Sequence, residues 1–140
     1  MKLDDTDHKI IEVLRKDARS SIRDIAKQLK LRHSTVHVRI QKLIRDNIIE
    51  KFTVKLNNKA MGENFIVFVF ISTEKIIENH AFHHRNIKEE FGITGEYDLV
   101  MKCKFADIEA FNDFILDFRK RHGLKKTLTM IGTVNLKEEL

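Results

Sequence analysis

The sequence predicts an α+β chain in two parts: a compact head of three helices, then a domain in which strands and helices alternate as β-α-β-β-α-β. Three observations carry this expectation. Apolar residues recur at helical spacing in three segments before Asn47, hydrophobicity switches to strand-length runs after Asn57-Asn58, and net positive charge is confined to the first part. Between Arg15 and Lys55, twelve Lys or Arg stand against four Asp or Glu. From Leu56 onward, twelve basic residues meet thirteen acidic ones, in a 140-residue chain of net charge +5.

The first helix is expected over Thr6 to Asp17, with Thr6 as its cap and Ile10, Ile11, Val13 and Leu14 as its apolar stripe. Ser20 or Ser21 caps the second, Asp24 suits its positive end, and Ile22, Ile25, Ala26 and Leu29 share one face. Leu31 closes a tight turn, and Val36, Ile40, Leu43 and Ile44 form the buried stripe of the third helix. Its other face carries Ser34, Thr35, Val38, Gln41, Lys42 and Arg45, with Arg32, His33 and His37 near its start. Two short helices joined this way read as a helix-turn-helix in a winged-helix-like head, whose second helix enters the major groove of double-stranded DNA. An ordinary amphipathic pair has the same periodicity, but only a surface that must neutralise phosphates needs the charge segregation. Ile48 to Leu56 alternates with period two and reads as a connecting strand, which places the head at 1–56 and the second domain at 57–140.

In the second domain, Phe65 to Ile71 (FIVFVFI) is an apolar strand on both faces, one of which needs a partner subunit to cover it. Ile76 to Phe91 reads as a helix capped by Gly92, Ile93 to Glu96 and Leu99 to Phe105 as a hairpin, and Asp107 caps a helix running to His122. The stripe of that helix is Ile108, Phe111, Phe114, Ile115 and Phe118; Gly123 stops it, and Lys125 to Leu136 is the last strand. The order is the ferredoxin-like split pattern.

Composition sets bounds. No apolar run reaches the roughly 20 residues a bilayer requires, and the N-terminal MKLDDTDHK has no signal-peptide core, so a cytoplasmic protein is expected. Cys103 is the only cysteine, which removes intrachain disulfides and four-thiolate zinc. It alternates with Met101 and Phe105 as a small core residue. His80 and His84 stand at a zinc-compatible helical spacing with His83 adjacent, but no cysteine or carboxylate pair completes a site, so no metal is expected. There is no phosphate-binding glycine loop, no nucleophile elbow and no cofactor motif, so neither an enzyme nor a cofactor is expected.

The runs LDDTDHKIIEVLRKDARSS, IAKQLKLRHSTVHVRIQKLIRDNIIEKFTVKLN and GEYDLVMKC, spread over nearly the whole chain, resemble the leucine-responsive regulatory protein/AsnC family of transcription regulators. The resemblance implies a DNA-binding head, a connecting strand and an αβ domain that dimerises and binds an amino-acid effector, with assembly into dimers of dimers or octamers. In this family the Gly-x-x-Asp loop lines the effector pocket, which corresponds here to Gly95, Glu96, Tyr97 and Asp98; Thr129 and Ile131 on the last strand align with further pocket positions. Two departures stand out. Lys30 occupies a turn position usually held by glycine, and Arg32 one often held by a capping serine.

On chemistry alone, Gln41 suits adenine, Arg32 guanine and Val38 a thymine methyl, while His33, Ser34 and His37 suit bases or phosphates. Lys42, Arg45 and Arg39 suit phosphates, Arg39 alternatively a structural ion pair. The Gly95–Asp98 stretch reads equally well as a plain hairpin turn. Two rivals stay open: an enzyme on the same scaffold resembling tetrapyrrole decarboxylases, and an architectural DNA-binding protein with no effector.

Overall fold

The computed structural model describes residues 2–74 and 82–139, which separate into two compact units, one ending at Lys55 and one spanning Leu56–Glu139. The first unit holds helices α1 (Asp5–Lys16), α2 (Ile22–Leu29) and α3 (His33–Arg45). Ile10, Val13, Ile25, Ala26, Val36, Ile40 and Leu43 form its buried core, with Leu3, Leu14, Leu31 and Ile49 packed around them. These are the apolar stripes of three amphipathic helices turned onto one another. The exception is Ile44, which was expected in the α3 stripe and is exposed. Val36, Ile40 and Leu43 already complete the seam, and Ile44 lies one residue past it.

Two boundaries of the head differ from expectation. Asp4, not Thr6, caps α1: its carboxylate accepts from the Asp7 N–H at 2.9 Å while the Asp7 carboxylate accepts from the Asp4 N–H at 3.1 Å, a reciprocal capping box. Residues 48–56 form no strand. Alternation supplies only the side-chain pattern, and a strand also needs a backbone ladder, which this segment does not form with any described strand.

The second unit is a four-stranded antiparallel sheet of β1 (Phe65–Ser72), β2 (Ile87–Gly92), β3 (Leu99–Phe105) and β4 (Lys126–Gly132), with helix α4 (Ile108–His122) on one side. The strand order β2-β3-β1-β4 puts β1 and β3 in the centre, as the split pattern requires. The whole is an α+β fold with a helix-turn-helix head and a ferredoxin-like domain. Asp107 caps α4 by accepting from the Ala110 N–H at 2.8 Å, and Gly123 ends it in the left-handed region at φ 57°. Val67, Val69 and Ile71 of β1 and Met101, Cys103 and Phe105 of β3 pack with Phe111, Ile115 and Phe118 of α4. Ile108, expected in that stripe, is exposed because it sits in the first turn, beyond the edge of this cluster. Burial pushes the Cys103 thiol up to about 12, as expected for an inert core sulfur.

The helix expected over Ile76–Phe91 is corrected in its second half. Residues 75–81 lie outside the described residues, but Ile87–Gly92 is strand β2. Ile87 and Phe91 are four apart, a spacing that suits a helix face and one side of a strand equally. The hairpin survives with its first arm moved upstream: Gly92 pairs with Leu99, so residues 93–98 must make the connection and the strand expected at Ile93–Glu96 has no place. β4 stops at Gly132, short of Leu136, because Gly132 pairs with Ile66 and β1 ends one residue beyond it.

Candidate DNA-binding surface and effector loop

The turn between α2 and α3 is built on Lys30, whose φ of 54° and ψ of 41° are left-handed, the conformation that favours glycine. Its N–H and that of Leu31 return to the last turn of α2, the latter reaching Ala26 O at 2.9 Å. Arg32 takes the N-cap position of α3 with no side-chain capping bond. Arg32, His33, Ser34, His37, Val38, Gln41 and Arg45 are exposed, while Thr35 and Lys42 are half-buried at the margins. Ser34, His37 or Val38, Gln41 and Arg45 recur at three- and four-residue intervals, which makes them one face of the helix, opposite the core. Val38 is 62 % exposed, an aliphatic side chain left bare in the middle of that face.

Arg39 turns the other way. Its guanidinium donates to the Asp7 carboxylate at 2.9 Å and also to Asp4, the two carboxylates of the α1 capping box. These bonds raise the Arg39 pKa above its ordinary value, and the Arg39 guanidinium holds the Asp4 carboxyl below its own. Of the two roles open to Arg39 in the sequence, the structure selects the ion pair. Asp4 and Asp7 went unrecognised there as its partners; the signal was their three-residue spacing just before an apolar run.

In the second unit, the Gly95–Asp98 loop connects β2 to β3. Gly95 has φ 127°, a conformation L side chains rarely adopt. The Asp98 N–H donates to Ile71 O at 2.9 Å, and its Oδ2 accepts from the Thr73 N–H at 2.8 Å, so the loop is tied to the end of β1. Thr73 had not been singled out in the sequence. The Tyr97 ring lies 5.8 Å from that of Phe70, with Lys126 Nζ 5.2 Å from its centroid. Thr129 and Ile131 are not gathered into this cluster within one chain. They pair with Val69 and Val67, on the helix-covered side, whereas Phe70 and Tyr97 meet on the other. Among the histidines weighed for metal, His80 lies outside the described residues. The His84 ring packs 4.9 Å from Phe114, and no described group of three His, Cys, Asp or Glu is placed to hold an ion.

A bare polar helix face on a helix-turn-helix, joined to a ferredoxin-like domain, defines a class of DNA-binding transcription regulator. Residues 3–50 match the winged helix-turn-helix DNA-binding family, and residues 66–139 match the Lrp/AsnC ligand binding domain. The chain belongs to the Lrp/AsnC family, which is one of regulators rather than enzymes. It is 35 % identical over 133 residues to the HTH-type transcriptional regulator FL11 of Pyrococcus furiosus, covering 92 % of this chain and 88 % of that one. Among solved structures it is similar to LrpC of B. subtilis, at 26 % identity and TM-score 0.88, with 99 % and 100 % of the two chains covered. It also shares its fold with NMB0573 of Neisseria meningitidis, solved as an L-Met complex, at 22 % identity and TM-score 0.89, covering 99 % and 94 %. No described helix is long and apolar enough to cross a membrane.

Proposed function

We propose that this regulator reads a specific DNA site as a dimer, and that its assembly and DNA affinity respond to a small effector of the amino-acid class. The observation that carries the reading is the outward face of α3, exposed along its length while Arg39 is drawn inward. Gln41 then reads adenine, Arg32 guanine and Val38 a thymine methyl, with His33, Ser34, Thr35 and His37 on adjoining bases or phosphates. Lys42 and Arg45 neutralise phosphates, and the α3 N-terminus, free of a side-chain cap, offers its amides to another.

Two features support a dimer. Ile66, Phe68 and Phe70 of β1 line the sheet face away from α4 together with Leu128 and Met130 of β4, an apolar surface suited to a second copy. Phe52, Val54 and Leu56 are exposed on a segment with strand alternation and no ladder, which a second copy's segment would complete. For the effector, the Gly95–Asp98 loop supplies amides for a carboxylate, and Asp98 Oδ1 is the oxygen left for an ammonium once Oδ2 holds Thr73. The L-Met bound to the Neisseria protein supports an amino acid here. Thr129 and Ile131 join the pocket in this reading from β4 of a second copy, because within one chain they lie on the helix-covered side. An effector that binds one assembly state better shifts the DNA equilibrium by linkage.

The test is selection of sites from random duplexes, followed by binding to the winning site with and without each of the twenty amino acids. Enrichment of a palindromic site, and a change in its affinity with at least one amino acid, are the expected results. No enrichment over random DNA would leave an architectural protein.

A further inference from the structure

Helix α3 carries two exposed histidines, His33 and His37, four residues apart. That spacing is close to one helical turn, so their Cβ atoms stand about 5–6 Å apart on one face. Neither imidazole is tied to another described residue by a hydrogen bond or ion pair. The other described histidines, His8, His83, His84 and His122, offer no second pair at this spacing on one helix. Neutral imidazole is the commonest side-chain ligand for divalent transition metals, bound through one ring nitrogen at about 2.0–2.1 Å. Two imidazoles one turn apart lean along the same side of a helix, and one ion between them closes a chelate. This is the spacing by which the two histidines of a metalloprotease helix share a zinc ion.

The neighbours on that face, Ser34, Val38 and Gln41, include no carboxylate or thiol. Two nitrogen donors without carboxylates favour copper, nickel and zinc over magnesium and calcium, and they leave the remaining positions to water. Arg32, next to His33, repels a dication, a cost that water and salt reduce at an exposed site. The result is an open, reversible site, suited to a signal and not to a structural ion. The same two side chains belong to the helix face that reads DNA in the function proposed above. An ion held between them takes their nitrogens from base edges and sets a hydrated body between the helix and the groove floor. It also adds positive charge, which attracts phosphates whatever the sequence. We infer that His33 and His37 form a binding site for a divalent ion of the copper, nickel and zinc group, whose occupancy weakens binding to the specific DNA site but not to random DNA. The site rests on α3 alone; its effect on DNA rests on the reading proposed above.

The test is calorimetric titration of the full-length protein with Zn(II) at neutral pH, beside the double variant His33→Gln, His37→Gln. Both positions are exposed, so thermal unfolding of the variant should match the wild type. The wild type should bind one more Zn(II) per chain than the variant, with no competition from Mg(II). Cu(II) should show paramagnetic resonance couplings to two imidazole nitrogens that the double variant lacks, and His84→Gln should retain them. Zn(II) should weaken wild-type binding to its selected duplex at least tenfold without weakening binding to a scrambled one, and the double variant should respond on neither. Equal Zn(II) uptake by the wild type and the double variant would overturn the site and leave the DNA reading untouched. An ion lost in the variant, with wild-type selectivity indifferent to Zn(II), would overturn the effect on DNA. A wild-type protein that prefers no duplex would overturn the DNA reading and this effect with it, while the titration would still decide the site.

Discussion

Replacing Arg39 with methionine separates its structural role from a DNA contact. The Asp7 side chain is 2 % exposed and Arg39 30 %, with the guanidinium 2.9 Å from the carboxylate. Removing one partner of a buried pair typically costs about 3–5 kcal/mol, because the other charge is left desolvated. Arg39 is partly in water, and Asp7 keeps the Asp4 N–H at 3.1 Å, so the cost falls just below that range, at about 2–3 kcal/mol. A unit of this size holds only roughly 3–8 kcal/mol in total. The loss should therefore lower the melting temperature of the head by about 10–20 °C. The assay is thermal and urea unfolding followed by helical circular dichroism. Asp7→Leu combined with Arg39→Met should recover at least half of the loss, since neither charge then remains. A stability change below about 0.5 kcal/mol, together with weaker DNA binding and a shallower salt slope, would refute the ion pair and return Arg39 to the phosphates.

Three further outcomes follow from the same geometry. Gln41→Ala should relax base preference at one half-site position at a cost of about 1–3 kcal/mol, whereas Lys42→Ala should weaken specific and random DNA alike; equal losses for both variants would count against base reading by Gln41. Lys30→Gly should stabilise the head by about 0.5–1 kcal/mol in urea unfolding, because the left-handed φ of 54° then carries no Cβ strain; a loss of stability would show that the Lys30 side chain matters more than its backbone. Asp4 has its folded-state pKa held below the ordinary 3.8 by Arg39, so its stabilising effect is present above that value and is lost as pH falls through the lower, folded-state value. Asp4→Asn should accordingly flatten the acid limb of the head's stability profile, and an unchanged limb would contradict the Arg39 assignment.

The parts legible in the sequence were those in which one period decides. The α3 stripe of Val36, Ile40 and Leu43, the α4 stripe from Phe111 to Phe118 and the alternation Met101, Cys103, Phe105 all face the core as expected. The left-handed Lys30 was legible only through the family resemblance, which places a glycine at that turn position. What failed was local pattern that depends on a distant neighbour. Ile87 and Phe91 fit either period, and only pairing with β3 makes that segment a strand. Residues 48–56 carry the pattern of a strand but join no ladder among the described strands. Asp4 was displaced as the α1 cap by Thr6, since both are capping residue types and the bond to Asp7 decides between them. In the candidate site, the α3 face followed from periodicity. The pinning of Asp98 by Thr73 did not, because it joins residues 25 apart in sequence.

The central claim is that α3 and its flanking cations bind DNA and read its sequence. The most direct measurement is the affinity of the full-length protein for its selected site and for a scrambled duplex across a range of salt concentrations. If the dimer neutralises about 4 to 6 phosphates, log affinity should fall against log salt with a slope near −4 to −5 on both duplexes. The selected site should stay at least about a thousandfold tighter than the scrambled one at physiological salt. A slope near zero, or equal affinity for the two duplexes, would contradict the account.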